Sequence, residues 1–306
     1  MSKIIVGIHG LDNKPPQELL QRSWEKALLE GLKAAGYPEL PFRFSLVYWA
    51  NLIYPEPLHP EETNINSTFY DDEPYVPAGD FIRKEPSELR KIVLKYLSEQ
   101  LKAFFLNADM SINFSSIADA IIQRYFKELD LYYCTTCVMK ERSGVLVKDV
   151  IREQLTATLK RYRNSDILLI AHSMGSIIAY DVLTQCTPDI TIDTFVTIGS
   201  PLGIPVVMSK IISEQRQSVE TVQRAKVPEA VTRSWYNLSD LDDNMTVNYR
   251  LADDFEENSK KVNVTDTIVS NNYEYKGKKN PHKSYGYLRT PELAEIIYSF
   301  QNRDRK

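Results

Sequence analysis

Apolar positions along this chain alternate between short solid runs and stripes at helical spacing. Lys3 to Ile8 is an apolar, β-rich run of the kind buried on both faces of a sheet. From about Pro16 to Ala35, Leu20, Trp24, Ala27, Leu28 and Leu32 fall on one helical face, and Gly36 and Pro38 supply stop signals. Phe42 to Trp49 reads as a second strand. The rhythm then lapses. Residues 51–86 are rich in Pro, Asn, Asp, Glu and Tyr and predict a long loop, which in compact proteins is often functional. Two amphipathic helices follow, one marked by Leu89, Ile92, Val93, Tyr96, Leu97, Leu101 and Phe104, the other by Ile117, Ile121, Ile122, Tyr125, Phe126 and Leu129.

The second half restores the alternation. A helix over about Val147 to Tyr162 leads into a short, strongly apolar strand, Asp166 to Ala171, and a sharp turn leads into a helix over Ser176 to Leu183. Thr194 to Ile198 is a strand ending in Gly199-Ser200-Pro201. Ser234 to Leu238 is another, followed by an acidic loop, and a weaker one lies near Val262 to Val269. A terminal helix starts at Pro291, with Thr290 as its cap. Apolar strands separated by far more than a hairpin turn predict a mostly parallel sheet with helices on both faces, and such sheets place ligands at the carboxyl ends of their strands.

Composition narrows the function classes more than the fold. With 306 residues the chain is long enough for one large domain or for a core with a cap, and 43% hydrophobic and 25% charged residues are ordinary for a globular protein. A net charge of −4 gives no reason to expect nucleic acid or an anionic membrane as a partner. No apolar stretch approaches the ~20 residues of a membrane span, and the amino terminus lacks a signal-peptide pattern. Three cysteines, Cys134, Cys137 and Cys186, do not make a secreted disulfide framework. Cys134 and Cys137 have no second pair to complete a zinc site, so they read as ordinary thiols near a helix end. No cofactor or metal is expected, and a cytoplasmic location follows by default.

The segment that carries chemistry is Ile167-Leu168-Leu169-Ile170-Ala171-His172-Ser173-Met174-Gly175-Ser176. It sets a serine between a buried strand and a helix, with small residues at Ala171 and Gly175 where backbones must pass closely. The helix that follows aims its amides and its positive dipole end at the same place. This segment resembles the G-x-S-x-G nucleophile elbow of the α/β-hydrolase superfamily, most closely its lipase and esterase branch, with Ala171 in place of the first glycine.

The resemblance covers the first fifty residues and residues 145–306. It implies an α/β-hydrolase fold whose usual leading strands are missing, with a core of 1–50 and 145–306 and an inserted cap at 51–144. It implies Ser173 as nucleophile and a chain order of nucleophile, acid, histidine. Of the four histidines, His9, His59, His172 and His282, only His282 follows Ser173, in a loop before the last helix. The acid belongs to the loop after Ser234–Leu238. Asp243, with Met245 and Val247 after it, fits the family's D-x-V-like arrangement; Asp240 is the alternative and would otherwise hold the loop by local hydrogen bonds, and Asp266 comes third. His9-Gly10 resembles the family's HG motif, which implies an oxyanion hole made by the Leu11 and Met174 amides. In the cap, Phe104, Phe105, Phe114, Tyr125, Phe126, Tyr132 and Tyr133 either line an acyl pocket or, for most of them, build the cap's own core.

The implied activity is hydrolysis of carboxylic or lipid esters through an acyl-serine. A thioesterase or acyltransferase with the same triad, and a non-catalytic interaction protein on the same fold, are the competing readings.

Overall fold

The computed structural model describes residues 2–38, 40–79, 87–106, 131–134, 136–139, 144–186, 189–216 and 224–303. Six strands, β1 (Ser2–Ile8), β2 (Phe44–Val47), β3 (Ser165–His172), β4 (Ile192–Ile198), β5 (Val231–Asp240) and β6 (Val264–Val269), form one sheet in the order β2-β1-β3-β4-β5-β6. Every neighbouring pair is parallel. The helices are α1 (Gln17–Ala34), α2 (Glu88–Phe105), α3 (Val147–Arg161), α4 (Met174–Asp181), α5 (Pro205–Arg216), α6 (Ser284–Leu288) and α7 (Pro291–Asn302). This is the α/β-hydrolase architecture that the resemblance implies.

Alternation along the strands explains why the sheet needs cover on both sides. Ile4, Val6 and Ile8 of β1 and Ile167, Leu169 and Ala171 of β3 pack into one cluster with Val150, Ile151 and Leu155 of α3 and Ile177 and Ile178 of α4. Ile5, Leu168 and Ile170 point the other way and join Trp24 and Leu28 of α1 and Leu293 and Ile297 of α7. A strand apolar at every position can be stable only between two such layers.

From β1 the chain steps outward to β2, then crosses back past β1 to β3 and continues the other way. The carboxyl ends of β1 and β3 therefore flank the point where the winding reverses, which is where open α/β sheets leave a crevice. His9-Gly10 and Ser173 stand on its two sides.

Three elements depart from the sequence expectations. Helix α2 forms, with Ser87 as its cap, but its apolar stripe does not face the core. Leu89 is 77% exposed, and Ile92, Val93, Tyr96, Leu97, Leu101 and Phe104 are exposed too, while Ser98 and Phe105 are buried. Two ion pairs tie the helix to the rest of the protein: Arg90 meets Asp242 at 3.2 Å and Lys102 meets Asp254 at 2.5 Å. Cys134 and Cys137 are joined as a disulfide rather than being ordinary thiols; their Cα atoms stand 5.4 Å apart, a separation this spacing permits at a helix end. The connection before the last helix, expected as loop, contains α6.

The helix marked by Ile117 to Leu129, and with it Phe114, Tyr125 and Phe126, lies outside the described residues. Phe105 and Tyr132 are buried in the main core cluster, Tyr133 packs against it half-buried, and Phe104 is exposed. Among the described residues, no helix is long and apolar enough to cross a membrane.

Candidate active site

The turn after β3 is tight because three short contacts make it so. Ser173 has φ 53° and ψ −128°, backbone angles that cost a side-chain-bearing residue about 1–3 kcal/mol. Its amide donates to the Ile198 carbonyl of β4, and its own carbonyl accepts from both the amide and the hydroxyl of Ser176. A Cβ on Gly175 would stand 2.7 Å from the His9 carbonyl oxygen and 2.8 Å from that of Ile8, so glycine is what lets the first turn of α4 press against the end of β1. The outcome is a buried serine whose hydroxyl reaches the end of the sheet.

That hydroxyl lies 3.0 Å from His282 Nε2. On the far side of the same ring, Nδ1 lies 2.8 Å from Asp243 Oδ2. A carboxylate can only accept, so the imidazole donates through Nδ1–H and leaves Nε2 with a lone pair toward the serine hydroxyl. The Asp243 side chain is sealed from solvent, whereas that of His282 is 29% exposed. The Met245 amide donates to the other oxygen, Asp243 Oδ1, at 2.8 Å.

The remaining aspartates face elsewhere. Asp240 accepts from the Asp242 amide (2.7 Å) and the Asn271 amide (2.6 Å), which ties the end of β5 to the segment after β6, and burial pushes its carboxyl above the usual range. Asp266 accepts from the Leu251 and Ala252 amides and from the Asn237 side chain. His59 stacks on Phe69.

His9 and His172 frame the site without joining the line of Ser173, His282 and Asp243. His172 Nε2–H donates to the His282 carbonyl at 2.8 Å, so the residue just before the serine anchors the histidine loop. Sequence order alone gave no signal for this contact, because the elbow pattern leaves that position open. His9 stacks on Trp49 with ring centroids 4.9 Å apart. It donates from Nδ1 to the Gly10 carbonyl and accepts the Trp49 amide at Nε2. Trp49 returns a bond from its indole to the His9 carbonyl. The loop beyond is held by Lys14, whose ammonium caps the Leu11 carbonyl. Among the described residues, neither the Leu11 nor the Met174 amide is engaged by a protein acceptor.

A third support comes from the long loop. Glu73 accepts both bonds of the Asn280 amide group at 2.7 and 2.8 Å and pairs with Lys283 at 3.4 Å. Asn280 Oδ1 in turn accepts the His282 amide. Residues on both sides of His282 are thus clamped by a segment more than 200 positions earlier.

These contacts predict a stability dependence. Burial, and then the Lys14 charge, pull His9 down to about 3. Burial, and then the neighbouring His282, pull His172 down as well. The unfolded chain protonates its histidines near the ordinary value of about 6.5, so stability is complete above that pH and erodes as pH falls toward the folded value. His9 alone should cost about 2 kcal/mol between about pH 7.5 and pH 5, with His172 adding loss of the same sign. Urea unfolding at the two pH values measures it. Equal stability at both would mean that His9 takes up its proton freely in the folded protein.

Among the described residues, no group of three or more His, Cys, Asp or Glu side chains is placed to hold a metal ion. Comparison with curated proteins and with solved structures gave no match. In a comparison with family models, residues 134–284, just under half of the chain, match the PGAP1-like alpha/beta domain. That stretch spans the elbow, the acidic loop and His282. The chain thus has an α/β-hydrolase fold, and its residues 134–284 are similar to the PGAP1-like alpha/beta domain of the alpha/beta hydrolase superfamily, which supports a hydrolase-type enzyme.

Proposed function

We propose that this protein is a serine hydrolase that cleaves carboxylic esters, lipid esters among them, through an acyl-serine formed on Ser173. The observation that carries the proposal is the unbroken line from Ser173 Oγ through the His282 ring to Asp243, at 3.0 and 2.8 Å. A serine hydroxyl is a weak nucleophile at neutral pH and needs a base in hydrogen-bonding reach. His282 Nε2 takes the hydroxyl proton as Oγ adds to the ester carbonyl, and it later gives that proton to the leaving alcohol. Water, deprotonated by the same nitrogen, then releases the acid. Asp243 fixes the ring's tautomer and stabilises the imidazolium that forms between the two transfers.

The tetrahedral intermediate carries its negative charge on the former carbonyl oxygen. In this reading the Leu11 and Met174 amides receive it, from the end of β1 and the start of α4. Each such donor is worth about 3 kcal/mol in the transition state. Residues 51–144 would cover the strand ends. Two contacts support that arrangement: Arg90 of α2 donates to the Leu241 carbonyl at 2.6 Å, beside the acidic loop, and Glu73 grips Asn280 beside His282.

The test is covalent labelling with a fluorophosphonate, followed by turnover of an ester panel of graded acyl length. Wild-type protein should label at Ser173 and release acid, and Ser173→Ala should do neither. A thioester panel and an acceptor alcohol added to the same assay separate a thioesterase or acyltransferase from an esterase. Correctly folded protein that fails to label would point to a non-catalytic protein on this fold and end the proposal.

A further inference from the structure

Resting on the triad reading above, we infer that Tyr287 is a positioning residue for this reaction, holding Asp243 in register with His282 through its buried hydroxyl. The hydroxyl lies 2.8 Å from Asp243 Oδ2, the same oxygen that accepts His282 Nδ1–H. It also accepts the Asp240 amide at 2.9 Å. The donor order is therefore set: the amide can only donate to the phenol oxygen, so the phenol proton points at the carboxylate. A chain of donors running amide to hydroxyl to carboxylate strengthens each bond in it.

The geometry gives this tyrosine a task that the rest of the site does not duplicate. Asp243 Oδ1 is fixed by the Met245 amide. Among the described residues, Oδ2 would otherwise be held only by the imidazole it is meant to orient, and a partner that must move between charge states is a poor anchor. Tyr287 is fully buried, in the short helix α6 that starts two residues after His282. One short segment thus delivers the base and, five positions on, the group that steadies the acid. Gly199 keeps the space clear, since a Cβ there would lie 3.0 Å from Asp243 Oδ2 and 3.1 Å from the Tyr287 ring.

Burial, and then the Asp243 charge, keep the phenol far above its ordinary value, so it remains a donor throughout the working range. The titratable and charged groups around it are Asp240 at the end of β5, Asp243 in the loop that follows, His172 from the end of β3, and His282 from its own segment. Of these, only Asp243 accepts from the hydroxyl and only the Asp240 amide donates to it.

The experiment compares wild type, Tyr287→Phe and protein carrying 3-fluorotyrosine at position 287, each labelled with fluorophosphonate and assayed for ester turnover across pH. Tyr287→Phe should lower kcat by about 10- to 100-fold with KM little changed. It should also move the acid limb of the pH–rate profile upward, because a carboxylate with one donor fewer concentrates its charge on the imidazolium and makes the base hold its proton longer. Fluorination withdraws electrons, strengthens the phenol as a donor and should move that limb the opposite way. It also keeps the ring and hydroxyl, so it decides the matter if Tyr287→Phe does not fold. If wild type labels and turns over but neither substitution moves the limb, Tyr287 is only packing and the inference falls while the triad stands. If wild type itself does not label, the triad reading falls, and the inference with it.

Discussion

Asp243→Asn should lower kcat for ester hydrolysis by about four orders of magnitude while leaving the fold intact. The size comes from the tautomer. Asp243 Oδ2 accepts His282 Nδ1–H, and Oδ1 accepts the Met245 amide. Asparagine keeps one accepting oxygen, which the fixed backbone amide claims, and so presents its NH2 group to His282. The ring must then accept at Nδ1 and carry its proton on Nε2, where an N–H instead of a lone pair faces Ser173 Oγ. Asp240→Asn is the matched control, because Asp240 lies in the same segment but makes no bond to His282. Its carboxylate accepts two backbone amides, from Asp242 and Asn271. One of those would meet an NH2 group, which should destabilise the protein by about 1–3 kcal/mol and reduce rate only modestly. Steady-state kinetics and urea unfolding on both variants give the comparison. Equal, mild rate losses would remove Asp243 from the mechanism, and a larger loss from Asp240→Asn would exchange the two roles.

The difference between these aspartates shows where a linear reading of the chain stops. Strands β1 and β3 are legible because each contains a solid apolar run, and such a run needs no knowledge of distant neighbours. The elbow is legible for the same reason: small residues around a serine, between such a run and a helix, describe a local backbone. The acid is a different kind of problem. Asp240 and Asp243 share a loop and a composition, and only the folded path sends Asp240 toward Asn271 and Asp243 toward His282. Tyr287 is out of reach for sequence reasoning because its partner is 44 positions away and no spacing rule links them. The same limit explains α2. Helical periodicity locates its apolar stripe but does not say which side faces the body, and the pairs that Arg90 and Lys102 make with Asp242 and Asp254 join residues 152 positions apart. Cys134 and Cys137 have a spacing that thiols and a disulfide share equally, so the bond between them is a fact of the fold alone.

Gly10→Ala should reduce the rate of fluorophosphonate labelling by at least about 100-fold, the penalty expected when a reacting group is displaced by about 1 Å. The added methyl would stand 2.6 Å from the Ser173 Cβ, closer than real Cβ atoms come to a neighbour, and 3.1 Å from His172 Nδ1, tighter than most real contacts. Neither neighbour can give way cheaply. Ser173 is pinned by its amide on Ile198 and its carbonyl on Ser176, and His172 is pinned by the His282 carbonyl. The loop that carries Gly10 is held in turn by the paired bonds between His9 and Trp49. Whichever side moves, the distance between the end of β1 and the serine must grow, and with it the distance from the Leu11 amide to any oxyanion formed on Ser173. Gly79→Ala supplies the reference, because a Cβ there meets nothing within 4 Å, and it should change stability by no more than about 0.5 kcal/mol. Thermal melts establish that both variants fold before labelling is compared. A folded Gly10→Ala protein that labels at the wild-type rate would show that the end of β1 does not press on the nucleophile, and the Leu11 half of the oxyanion hole would have to be given up.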